Sequence, residues 1–167
     1  LKEIQSELFS YGVTGVHEAG VDFEELELLD QMATTNELSL NIYAMLSPTQ
    51  ANLDFAKEKG IYRNKNLLVR SFKAYVDGAL GSSGALLKES YHDHPNYTGL
   101  SLTSVEALSS LRDYCLSVNY QLNCHGIGDS AVARILNMCK VAYRKKPDHR
   151  FRVEHAQLVS PNDFELF

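Results

Sequence analysis

The sequence predicts an α/β fold built on parallel strands. Three observations carry that reading. Short runs rich in β-branched and aromatic residues alternate with amphipathic helical runs. Serine, threonine and proline signals open the helical runs. The alternation repeats at roughly thirty residues per unit, which suits strands joined by right-handed crossovers. The strand runs are Gly12 to His17, Leu40 to Leu46, Leu67 to Val76, Tyr120 to His125 and Phe151 to His155. In the first helix signal, Ser47-Pro48-Thr49-Gln50, Ser47 is the cap and Pro48 the first helical residue. Thr103-Ser104-Val105-Glu106 reads as a capping box, Asp129 as the cap of the next helix, and Ser160-Pro161-Asn162-Asp163 as a further helix start. From Ser130 onward Val132, Ile135, Leu136, Cys139, Ala142 and Tyr143 form one helical stripe. Val105, Leu108, Leu111, Cys115 and Val118 form another. An open doubly wound sheet and part of a (β/α)8 barrel both satisfy this order. The interval from Gly78 to Leu102 breaks it with a long loop after the third strand run, where a barrel carries functional segments or lids.

Composition narrows the function classes. The chain has 167 residues, enough for one domain, with 44% apolar and 22% charged residues. No apolar run is long enough to span a membrane. A net charge of −5 argues against a nucleic-acid surface. Cys115, Cys124 and Cys139 show no metal or disulfide spacing and read as reduced thiols of a cytoplasmic protein. No Gly-x-Gly-x-x-Gly or Gly-Lys-Ser/Thr motif marks a nucleotide site. The start at Leu1 and the end at Phe167, inside a fresh helix signal, suggest a piece of a longer protein.

Polar residues at strand ends are the candidate chemistry, because barrel chemistry collects there. His125 closes its strand before Gly126-Ile127-Gly128-Asp129, and His155 closes the next. Two imidazoles at matching strand ends are either separately bonded to backbone or a shared metal site. Alternation places Lys73, Tyr75 and Asp77 on one face. An ammonium there is costly to bury, so Lys73 is either paired with Asp77 or converted by carbon dioxide to a carbamate able to bridge metals. His17 ends the first strand run, as a substrate contact or a structural residue. His92 and His94 lie in the long loop and read as solvated, and His149 as a surface residue. Cys124 points away from His125, so no Cys-His dyad is expected.

The run Phe72-Lys73-Ala74-Tyr75-Val76-Asp77-Gly78-Ala79-Leu80-Gly81-Ser82-Ser83-Gly84-Ala85-Leu86-Leu87 resembles the strand-and-loop signature of amidohydrolase family 3, the N-substituted formamide deformylase-like metal-dependent hydrolases. Tyr91 to Pro95 with Gly99-Leu100, His125-Gly126-Ile127-Gly128-Asp129, and Arg152-Val153-Glu154-His155-Ala156-Gln157 follow in the same order. The resemblance implies a partial TIM (β/α)8 barrel, about strands two to six, with residues 1–167 a fragment of the barrel domain. It implies one or two divalent metal ions, zinc first among them, with His125, His155 and Lys73 as ligands and Lys73 open to carbamylation. The reaction implied is hydrolysis of a carbon–nitrogen bond in an amide, formamide or cyclic amide. Asp77, Gly81 and His17 are expected on the substrate side of a small-molecule site. The family's first-strand His-x-His pair would precede Leu1 and its catalytic aspartate would follow Phe167. No catalytic base is therefore expected within this chain, and the piece alone is expected to be inactive. Exposed strand edges would favour homo-oligomers. A metal-free binding module and a barrel scaffold without chemistry are the alternatives.

Overall fold

The computed structural model describes residues 1–167. It divides into two compact units: Leu1–Lys73 with Val118–Tyr120, and Ala74–Ser117 with Gln121–Phe167.

The first unit begins with α1 (Lys2–Ser10), β1 (Gly15–Val21), α2 (Phe23–Thr34) and β2 (Asn41–Leu46). It continues with α3 (Gln50–Lys59), β3 (Tyr62–Asn64) and most of β4 (Leu67–Tyr75). β1 and β2 pair in parallel, as do β2 and β4, while β3 runs antiparallel to β4. The helix α1 and the short β3 are absent from the sequence reading. Gln5 explains why α1 docks: its buried side chain accepts from Ser39 N and Leu40 N and donates to Glu37 O. Leu26, Leu40, Met45, Leu46, Leu67, Val69 and Phe72 are fully buried, each a contribution of about 1.5–3 kcal/mol. The start of α3 differs from the sequence reading. Its cap is Thr49, whose hydroxyl accepts from Asn52 N, rather than Ser47. Ser47 N instead donates to Val21 O, holding that segment to the end of β1.

The second unit holds the end of β4, the long loop with a single 3-10 turn (Leu80–Ser82), α4 (Val105–Ser117), β5 (Gln121–Gly126), α5 (Asp129–Lys145) and β6 (Arg152–His155). β5 and β6 pair in parallel from Asn123↔Arg152 to Gly126↔His155. The Ser160-Pro161 signal yields a 3-10 helix, Pro161–Leu166. Val132, Ile135, Leu136 and Ala142 of the predicted α5 stripe are buried and Cys139 is half-buried, but Tyr143 is 60% exposed. α5 is capped by Gly128, with Asp129 as its first residue. The Asp129 carboxylate accepts from Lys88 N and Ser160 Oγ, so it ties loops together instead of capping. Asp113 links α4 to α5. Arg112 and Lys145 both bond its carboxylate and hold its pKa well below the usual range.

Candidate active-site rim

The second unit gathers its chemistry at the ends of β5 and β6. The His125 and His155 rings meet edge to face with centroids 4.6 Å apart. These are the two histidines that the sequence placed at matching strand ends, and the structure brings them together. Tyr75, the last residue of β4, stacks at a tilt 5.7 Å from His125.

The backbone around His125 is held by one side chain. Asp77 is fully buried, and its carboxylate accepts three backbone N–H groups. Ile127 N reaches Oδ1 at 3.0 Å, while Leu86 N and Gly128 N reach Oδ2 at 2.9 and 2.8 Å. The carboxylate thus joins the chain leaving β4, the returning arm of the long loop and the turn after β5. Such a saturated carboxylate satisfies donors that would otherwise be buried without partners. Asp77, expected on the substrate side, stands here as the residue that shapes the loop. Gly128 shows how closely the loop approaches, because a Cβ there would lie 2.1 Å from Leu86 O. Farther out, Lys88 Nζ donates to Ser160 Oγ and Asp163 Oδ2 at 2.8 and 2.7 Å, closing the loop against the segment after β6.

The same tie orients the His125 ring. Its Nε2 lies 3.5 Å from both Gly78 O and Asp77 Oδ1. Both neighbours are acceptors, so the tautomer they favour carries its proton on Nε2.

Lys73 lies on β4 in the first unit and is 4% exposed. His17 is the third residue of β1, because that strand runs on through Glu18-Ala19-Gly20 to Val21. It pairs in register with Tyr43, with ring centroids 4.8 Å apart, and so lies within its strand rather than at its end. Gly81 sits on the exposed 3-10 turn with open space where a Cβ would be. His94 joins a small cluster with Tyr91 and Tyr97 inside the loop. His149, read as a surface residue, is half-buried. Burial lowers its pKa, and its Nδ1 accepts from Phe151 N. Cys139 is half-buried on α5, with its thiol pushed up to about 11, so it is protonated and unreactive at neutral pH. The three backbone donors of Asp77 lie 9 to 51 residues away, so no local sequence pattern could assign them.

His125 and His155 are donors of the type a divalent transition metal takes. No group of three or more His, Cys, Asp or Glu side chains is arranged so as to hold a metal ion by itself. The pair therefore fits a metal as part of a ligand set.

Comparison with known proteins defines the class. An uncharacterised metal-dependent hydrolase from Pyrococcus furiosus superposes on 99% of this chain with a TM-score of 0.89 and 29% identity, over 34% of its own length. A second, from Pyrococcus horikoshii, covers 99% with a TM-score of 0.88 and 28% identity, over 33% of its length. The fold is thus α/β, part of a TIM barrel of the kind found in metal-dependent hydrolases. The amidohydrolase family profile matches residues 2–166, and the chain belongs to that family. Among curated relatives, Protein LONG AFTER FAR-RED 3 of Arabidopsis thaliana is 32% identical over 87% of this chain and 25% of its own. The putative amidohydrolase YtcJ of Bacillus subtilis is 35% identical over 53% of this chain and 17% of its own. The chain spans about a quarter of the first relative and about a third of the two solved structures. No helix is long and apolar enough to cross a membrane.

Proposed function

We propose that the whole protein is a metal-dependent hydrolase of carbon–nitrogen bonds in amides, formamides or cyclic amides. The observation that carries this reading is the His125–His155 pair at the ends of two adjacent parallel strands. Family membership and the metal-dependent hydrolase neighbours support it. In this reading His125 and His155 are metal ligands, zinc being the ion first expected, and Lys73 is a further ligand, carbamylated or not. A bound divalent ion would supply an activated water and polarise the scissile carbonyl.

The chain's own contributions are distinct. Asp77 holds the turn after β5, and with Gly78 O it directs the ring proton of His125 to Nε2. The long loop, closed by Lys88, walls the rim. No general base is assigned within residues 1–167, so the isolated piece is inactive in this proposal. The test is a hydrolysis screen of N-acyl, N-formyl and cyclic amide substrates with the full-length protein. Turnover lost on chelation and in His125→Ala supports the reading. Turnover that survives both contradicts it, as does turnover by residues 1–167 alone.

A further inference from the structure

His155 reaches its partner against the pattern of its own strand. Side chains on a strand alternate between two faces. On β5 a Cβ at Gly126 would lie 2.5 Å from Ile135 Cδ1, so Gly126 faces α5 and His125 faces away from it. On β6 Arg152 Nε bonds Glu154 Oε1 at 2.8 Å, so these two share a face. Val153 takes the other face, in a groove with Leu136 and Cys139 of α5. Continued alternation would send His155 toward α5, and its register partner is indeed Gly126. Its ring nevertheless lies against His125.

The backbone accounts for this. His155 has φ +71° and Ala156 φ +43°, two consecutive non-glycine residues in the left-handed region. Ala156 N donates to Glu154 O at 3.0 Å, which closes a three-residue turn centred on His155. A positive φ at the centre marks the rare, strained form of the γ-turn. The same N–H lies 3.1 Å from Gly126 O, which fastens the turn to β5. Strain of this kind persists where the surroundings over-determine it, and it clusters at functional sites.

We propose that this strained turn is a positioning device, with Ala156 as the positioning residue, and that it swings the His155 imidazole from the α5 face to the His125 face. Its use for metal binding rests on the proposed function, but the aim of the ring does not.

The test uses the full-length protein with Ala156→Gly, Ala156→Asn and Ala156→Val. Glycine and asparagine tolerate a positive φ, whereas a β-branched residue resists it. Two quantities are read: the NOE between the His125 and His155 ring protons in chelated protein, and zinc affinity by titration. The glycine and asparagine variants should keep the NOE and bind zinc within about threefold of wild type. The valine variant should lose the NOE and bind at least tenfold more weakly. A folded valine variant with the NOE intact overturns the proposal, and so does loss of the NOE in the glycine and asparagine variants. Should the valine variant not fold, thermal stability decides. A raised Tm for Ala156→Asn with the NOE retained supports relief of left-handed strain, and a lowered Tm overturns it. If wild type takes up no zinc yet valine still abolishes the NOE, the metal reading fails and the positioning device stands.

Discussion

Both units fasten the ends of their strands with one buried polar side chain, but the two ties have opposite polarity. In the first unit Asn52 donates its amide to Val21 O and Ser47 O at 3.0 and 2.9 Å, holding the ends of β1 and β2. In the second, Asp77 accepts three N–H groups around the end of β5. A donor tie consumes the carbonyls at the strand ends, where its own Oδ1 finds no partner. An acceptor tie consumes N–H groups and leaves Gly78 O to face His125. The histidines follow the same division: His17 is locked within β1 against Tyr43, while His125 and His155 stand at strand ends. A polar tie thus does more than hold a loop, because its sign decides which backbone groups are left to orient a functional ring.

The largest expected effect comes from breaking the acceptor tie. Asp77→Ala leaves three buried donors unpaired and should cost upwards of about 3 kcal/mol in urea melts of the full-length protein. Asn52→Ala removes the weaker donor tie and should cost about 1–2 kcal/mol. Equal losses would break the comparison. Next is the contrast between histidines. His125→Ala and His155→Ala should each weaken metal binding by about 100-fold or more, near 2.7 kcal/mol, and His17→Ala by less than about threefold.

A smaller effect is expected from His149. Its pKa is lowered chiefly by burial, against the raising influence of Asp148. The unfolded chain therefore binds more protons there, and this stability is present above the ordinary histidine pKa and lost as pH falls through the lowered one. Melting temperature should drop on acidification from pH 7 toward 5, with a shallower slope in His149→Gln. The smallest effect belongs to Lys88→Ala. The half-exposed Lys88–Asp163 pair should be worth no more than about 1 kcal/mol, and less in high salt.

Much of this architecture was legible in the sequence. Five parallel strands were placed within a few residues, because buried runs such as Leu67-Leu68-Val69 and Gln121-Leu122-Asn123-Cys124 carry strong β signals. The pair His125 and His155 was legible for the same reason, since each closes such a run. What escaped were features set by distant partners. The three-residue β3 is too short to show a period, and α1 docks through the contacts of Gln5 with residues 37–40. His17 was placed at a strand end because the glycine-bearing run to Val21 hides the continuation of β1. The binding of Asp77 to backbone donors, and the left-handed turn at His155, leave no local pattern except the glycines that make room beside them.

The central claim is that His125 and His155 act together as metal ligands. It is tested most directly by elemental analysis of the full-length protein, purified without chelator or affinity tag, beside His125→Ala/His155→Ala and His17→Ala. The account predicts a divalent metal, zinc first, retained in wild type and in His17→Ala and lost from the folded double variant. Equal metal in the double variant, or none in well-folded wild type, would contradict it.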